Sequence, residues 1–368
     1  MNQVDFIERY GQFILSESIN YNDATLVAMS GGVDSSVAAL YLKYHNHNPI
    51  GVTLKLINDS DQEIEAAKRS AEQLGIPHVV LDYRNEFEKY VIKPFVEAYE
   101  SGDVPNPCVL CNKEIKFRLV YNMLEKLGAS YLATGHYADI EHDCLADRYL
   151  LRRSHDDNKD QSYMLYHLKQ DILAKTLFPL GEMTKEQVRS AATEHKFANA
   201  AKKDSQDICF IKDGKYAEFI AKYTGKTPPK GSFVDTSGRV IGTHNGAINF
   251  TIGQRKGFGI GFGQRIYVID KNMEKNTVTL GSQDELFAKR VTARNINLIA
   301  LDKIDHKMRV KAKTRYRIEE TSAVVYQTGE DEIVAEFDSP VRAVTKGQSL
   351  VLYDGRIVVG GGIIVAAE

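Results

Sequence analysis

The chain has 368 residues, 43% hydrophobic and 26% charged, with a net charge of -2 and four cysteines. This composition supports a sizeable buried core in two or three domains, and it excludes a disulfide scaffold and a surface that is basic all over. No apolar run reaches membrane-spanning length and the opening "MNQVDFIERYGQF" lacks the basic-then-apolar order of a signal peptide, so a cytosolic protein with no membrane partner is expected.

Taken in chain order, "TLVAM" (25–29) reads as a strand, "GVDSSVAALYLKY" as a helix, and "IGVTLKL" (50–56) as the next strand after a Pro-containing loop. "DQEIEAAKRSAEQLG" has helical spacing and stops at Gly75. "HVVLD" is a strand, a helix covers 112–127, and "ASYLATGHY" (129–137) is a further strand. Such alternation predicts an α/β N-terminal domain with a doubly wound parallel sheet and ligands at the carboxyl ends of its strands. From about Gly214 short alternating strands take over, punctuated by Gly, Asp and Asn turns, which predicts mostly β central and C-terminal domains. The expected division is 1–212, 213–285 and 286–368.

The most specific chemistry lies in "AMSGGVDSS" (28–36). Two glycines let backbone approach an anion, and the helix that follows offers unpaired N–H groups and a positive dipole end. A Walker loop would carry a lysine after the second glycine, and none is present. The order S-G-G-V-D-S instead resembles the pyrophosphate loop of the ATP pyrophosphatases, an adenine nucleotide α-hydrolase-like group. With "NPCVLCNKEIKF" (106–117), "ATGHYA" (133–138), "KDQSYML" (159–165), "KDSQDICFI" (203–211), "GQRKGFGI" (253–260) and "TRYR" (314–317), the chain resembles the bacterial tRNA-specific 2-thiouridylases.

That resemblance implies an ATP-dependent transferase that adenylates the 2-oxygen of the tRNA wobble uridine and replaces it with persulfide sulfur from a donor protein or relay. Cys111 matches the nucleophile and Cys209 the persulfide carrier. Ala28, Met29, Ser30, Gly31, Gly32, Val33, Asp34, Ser35, Leu54 and Gly135 match the ATP contacts. Asn106, Pro107 and Cys108 match the target-base loop, and His136, Lys159, Asp160, Gln161, Arg315, Tyr316 and Gln348 the tRNA contacts. Mg²⁺ is expected beside the departing pyrophosphate, with Asp34 either its ligand or a helix cap.

Read physically, a helix starting at Asn112 would lower the pKa of Cys111, helped by Lys113 and Lys116. Nothing local sets the pKa of Cys209, which follows Asp204 and Asp207. Lys307, Arg309, Lys311, Lys313, Arg315 and Arg317 alternate with Met308, Val310, Ala312, Thr314 and Tyr316, so a strand there shows six positive charges on one face. That face suits a phosphate backbone, and a solvated edge strand is the plainer reading.

Cys108 stands where many members of that family carry Asp. Cys108, Cys111 and Cys209 match three ligands of a [4Fe-4S] cluster, an alternative to the simple persulfide relay. Zinc lacks an evident fourth ligand, and Cys144 reads as a bystander. Two other classes stay open: an ATP-dependent amidotransfer or ligation enzyme, which needs no cysteine pair, and a non-catalytic RNA-binding or sulfur-carrier protein.

Overall fold

A computed structural model describes residues 19, 21–202, 207–211, 214–258 and 265–368. The opening segment 1–13, residues 203–206, 259 and 260 of the motifs above and the expected boundary at 212 and 213 lie outside the described residues. The chain divides into two compact units. One holds Met1–Val91, Cys108–Gln206 and Arg356–Val358; the other holds Ile92–Pro107, Asp207–Gly355 and Val359–Glu368.

The first unit is α/β. Strands β1 (Ala24–Ala28), β2 (Asn48–Lys55), β3 (His78–Asp82), β4 (Tyr131–Thr134) and β7 (Thr176–Leu177) form a parallel sheet in the order β3-β2-β1-β4-β7. Helices α1 (Val33–Tyr44) and α2 (Asp61–Leu74) are the crossovers on either side of β2, and α2 stops at Gly75 in the left-handed conformation (φ 61°). Pro49, expected in a loop, lies inside β2 opposite Thr25. It is the second residue of that strand, where a missing N–H costs little. The strands at the sheet centre are apolar on both faces, because helices cover both sides; Leu26, Val27, Ile50 and Leu132 are all buried. An antiparallel hairpin, β5 (Ala138–Asp143) and β6 (Arg148–Arg153), follows β4, and Cys144 is exposed at its turn. Helix α4 (Lys185–Glu194), after α3 (Arg118–Leu127), packs Val188 and Ala192 into the same core as Val33 and Val37 of α1. A Thr184–Gln187 capping box starts it.

The second unit is mostly β. A four-stranded sheet runs β10 (Tyr267–Asn272), β11 (Thr277–Gly281), β8 (Gly231–Val234), β9 (Val240–His244), with its own core around Phe233, Phe250, Phe258 and Val268. Strands β12 (Phe287–Leu298), β13 (Met308–Lys313), β14 (Thr321–Gly329), β15 (Glu332–Arg342), β16 (Ser349–Asp354) and β17 (Ile357–Ala367) run in the order β12-β15-β14-β13-β16-β17, and β12 also pairs with β17. That pairing closes a barrel and removes its edges.

The basic alternation is real, and shorter than the sequence suggested. Arg309 and Lys311 are exposed on β13 while Val310 and Ala312 are buried, but the strand ends at Lys313 and the chain turns through 314–317. Acids from neighbouring segments meet these charges: Lys307 with Glu336 (3.6 Å), Arg309 with Asp338 (2.8 Å) and Lys311 with Glu320 (3.3 Å). The expectation of one strand face with six positive charges is therefore corrected: the strand holds only Arg309, Lys311 and Lys313 of the six, and the acidic partners from other segments are invisible to local spacing.

Candidate active site

The phosphate loop sits at the carboxyl end of β1. Gly31 has φ 71°, and a Cβ added there would lie 2.2 Å from the Glu63 carbonyl oxygen, so only glycine fits. The loop's inward carbonyls are held by protein: Asn199 Nδ2 donates to Gly31 O (3.1 Å), and the Ser35 and Ser36 hydroxyls donate to Gly32 O (3.2 and 3.0 Å). Thr53 Oγ1 donates to Met29 O (2.8 Å), fixing the start of the loop to β2. With carbonyls turned into the protein, the N–H groups of the first turn of α1 are the groups left for an anion. Gly32 is the N-cap, and no side chain caps that helix end.

Asp34 is not a cap. Lys185 Nζ donates to both its oxygens (2.6 and 2.9 Å), and the Tyr137 hydroxyl donates to Oδ1 (2.9 Å). Lys185 is buried at the first position of α4, 151 residues away in sequence, and sequence reasoning missed it. The available signal was a lysine opening a helix, where the dipole disfavours positive charge.

Gly135 completes the loop. A Cβ there would lie 2.8 Å from Ser35 N and 2.9 Å from the Asp34 carbonyl carbon, so β4 ends directly against the start of α1. Leu54 is half-buried near the carboxyl end of β2. The expected ATP residues thus fall on adjacent strand ends, around the first turn of α1.

Gly135 leads into His136, whose ring lies between Phe117 (5.9 Å between centroids) and Phe178 (6.3 Å) and contacts Thr134 Oγ1 at 2.8 Å. Burial holds its pKa well below the ordinary value, with Lys116 adding to the effect, so the imidazole is neutral. Asp160 is buried and accepts from Ser154 N, Ser162 N and Ser162 Oγ (3.2, 3.2 and 2.9 Å). Gln161 and Tyr137 bond through both the Gln161 side chain (2.9 Å) and its N–H (2.8 Å). Asp160 and Gln161 therefore shape the loop that carries half-buried Lys159 and hold Tyr137 against Asp34.

The cysteine segment corrects one expectation. The helix starts at Pro107, a residue favoured at the first helical position, rather than at Asn112. Cys108 therefore lies in the first turn and Cys111 one turn further in, followed by a π-helical segment, Asn112–Phe117. The argument from a helix end passes to Cys108. Although Cys108 is exposed, the protein crowding it raises its thiol pKa, and Lys116 pulls the other way. Cys111 is buried, and its neighbour Asn112 donates to Met164 O (3.2 Å).

In the second unit, Cys209 is exposed on a short turn. Its neighbours Ile208, Phe210 and Ile211 are anchored in a cluster with Phe95, Tyr99 and Ile220, which presents the thiol outward. Gln348 Nε2 donates to Val104 O (2.6 Å) and Val104 N to Lys346 O (2.9 Å), two residues before Asn106. Arg315 Nη2 donates to Ala343 O (2.6 Å) and to Thr345 Oγ1 in the same turn. Half-buried Tyr316 follows it. The structure thus brings the Pro105–Pro107 stretch, Gln348 and Arg315 onto one braced turn.

Cys108 and Cys111 supply two thiols, and among the described residues no third His, Cys, Asp or Glu joins them to hold a metal. Cys209, the third thiol of the cluster alternative, belongs to the second unit. For Mg²⁺ the donor set fits a cation carried mainly by phosphate oxygens, with Asp34 as the nearby carboxylate.

A parallel sheet with an uncapped, glycine-built anion loop, followed in one chain by a small β sheet and a closed barrel, defines an α/β nucleotide-handling enzyme with β appendages. In agreement, a tRNA methyl transferase HUP domain matches residues 23–213, its PRC-barrel domain residues 217–282, and an aminomethyltransferase β-barrel domain residues 288–364. The tRNA-specific 2-thiouridylase MnmA of Clostridioides difficile is 47% identical over 354 residues, 93% of this chain and 98% of that protein. The protein of the same name from Acetivibrio thermocellus is 46% identical, over 92% and 98%. The chain belongs to the tRNA-specific 2-thiouridylase family.

Proposed function

We infer that this protein is an ATP-dependent tRNA-uridine 2-sulfurtransferase. The observation that carries the reading is 47% identity with a thiouridylase over 93% of a chain whose anion loop has a glycine-only turn and an uncapped helix end. In the first step the uracil 2-oxygen attacks the α-phosphorus of ATP, the bond to the β-phosphate oxygen breaks, and the uracil N3 proton passes to solvent. In the second, the terminal sulfur of a persulfide on Cys209 bonds to C2 and the C2–oxygen bond breaks to release AMP; the Cys111 thiolate attacks Cys209 Sγ, so that the sulfur–sulfur bond breaks, the sulfur stays on C2 and a Cys111–Cys209 disulfide forms, which a thiol reductant returns to two thiols for the next turnover.

The wobble uridine is the target, Asn106, Pro107 and Cys108 face it, and a sulfur-donor protein or relay charges Cys209. Ala28 to Ser35, Leu54 and Gly135 hold ATP, and Mg²⁺ would neutralise its phosphates. Loss of the departing charge onto a helix end and a cation is what such a site supplies. His136, buried and neutral, is suited to hydrogen bonding rather than to phosphate pairing.

Radiolabelled ATP tests the first step: pyrophosphate release must require tRNA with an unmodified wobble uridine. Release that depends on ammonia or an amino acid would return the amidotransfer reading, and no release would return the non-catalytic one.

Lys311 and Lys313 are offered as phosphate contacts. Their double alanine variant is expected to weaken tRNA binding and to flatten the slope of log K against log[salt] by about 1 to 2. An unchanged slope assigns β13 to ion pairing with its neighbours alone. Arg315 is left out of that variant because its bonds to Ala343 and Thr345 hold the turn.

A further inference from the structure

We propose that Lys185 is the cation that receives the pyrophosphate, held in the free enzyme by Asp34 and transferred to the leaving group when ATP binds. The inference rests on the ATP-dependent reading above and adds a residue to it.

Three observations converge. Lys185 carries two costs: its side chain is only 5% exposed, and it begins a helix whose dipole repels it. It is nevertheless paired with a carboxylate of the phosphate loop, rather than with an acid of its own helix. Asp34 is 32% exposed, so the partner is reachable by a ligand although the lysine stem is not.

The local charge count points the same way. The N-terminus of α4 is satisfied within the protein, by the Thr184 side chain on Gln187 N and by Asp156 Oδ2 on Lys185 N (3.1 Å). The N-terminus of α1 has no side-chain cap. The ammonium and the uncapped helix end therefore face one carboxylate, which leaves the site short of negative charge. A polyphosphate with its own Mg²⁺ makes up that difference, and Asp34 can turn to the metal as Lys185 turns to the phosphates. Tyr137, whose hydroxyl donates to Asp34 and whose ring lies 5.7 Å from Nζ, stays beside both groups as they exchange partners. When the bond between the α-phosphorus and the bridging oxygen breaks, the electron pair departs on pyrophosphate beside an ammonium that keeps its proton. Lys185 thus acts by charge and needs no acid step.

The test is a kinetic split in the intact protein. Lys185→Met is expected to lower the turnover number for tRNA-dependent pyrophosphate release by about 100-fold or more, to weaken inhibition by added pyrophosphate at least tenfold, and to leave AMP affinity within about threefold. Because the methionine variant leaves the Asp34 carboxylate without its cation, Asp34→Asn/Lys185→Met serves as the folding control. It should melt near wild type and still be slow. A Lys185→Met protein that releases pyrophosphate at the wild-type rate, or a control in which pyrophosphate and AMP affinities fall together, overturns the proposal. Failure of the wild-type protein to release pyrophosphate at all overturns the ATP-dependent reading instead.

Discussion

Cys111→Ser and Cys209→Ser are each expected to cut 2-thiouridine formation by at least about 10³-fold while leaving ATP affinity within about twofold of wild type. A serine oxygen is far less nucleophilic than a thiolate at neutral pH and cannot form the persulfide. The ATP loop is built on β1, α1, β2 and the end of β4, none of which carries a cysteine. Cys144→Ser is the control: that thiol is exposed at a hairpin turn, 3.7 Å from His142 Nδ1, and its loss should change neither quantity. Thiolation assayed with a persulfide donor, beside equilibrium dialysis of ATP, separates the outcomes. Thiolation retained by either serine variant would remove that cysteine from the relay. ATP affinity lost in both would mean that the cysteines support the loop.

Gly31→Ala should be the most damaging small substitution in the phosphate loop. Its positive φ alone costs a residue with a Cβ about 1 to 2 kcal/mol, and the new methyl would lie 2.2 Å from the Glu63 carbonyl oxygen. That oxygen is backbone in the first turn of α2, so relief means moving the helix or the loop. A total loss of about 2 to 5 kcal/mol and an ATP affinity at least about 100-fold weaker are expected. Gly128→Ala isolates the backbone effect, because Gly128 has nearly the same φ (70°) and nothing within 4 Å. It should cost only the conformational penalty and leave ATP binding intact. Equal behaviour of the two variants in thermal melts and ATP titration would refute the close-approach argument.

The sequence made the first half of the chain readable because its signals are local. Gly31 of "SGGVDS" and Gly75 mark backbone that only glycine adopts easily, and the alternation of apolar strands with amphipathic helices announces a parallel sheet. What escaped it depends on distant pairing. Lys185 meets Asp34 only after the sheet folds. The acids that neutralise Arg309 and Lys311 come from other strands or turns, so a run of basic residues looked less balanced than it is. Closure of the barrel by β12 and β17 joins segments from the beginning and end of the last domain, and no local spacing reports it. The cysteine helix starts earlier than the expected Asn112 for a local reason: Pro107 was placed in the target-base loop, although proline suits a first helical turn equally well. Of the site residues taken from the family resemblance, Leu54 and Gly135 lie near strand ends, Val33 to Ser35 open α1, Cys108 and Cys111 sit in a short helix, and Asp160, Gln161 and Arg315 also hold their own loops.

The most direct measurement of the central claim is mass spectrometry of digested tRNA after incubation of the iron-free protein with ATP, Mg²⁺, unmodified tRNA and a persulfide donor. The account predicts 2-thiouridine at the wobble position, formed only with ATP and without added iron. Thiouridine that appears only after reconstitution with iron and sulfide, or no thiouridine under either condition, would contradict it.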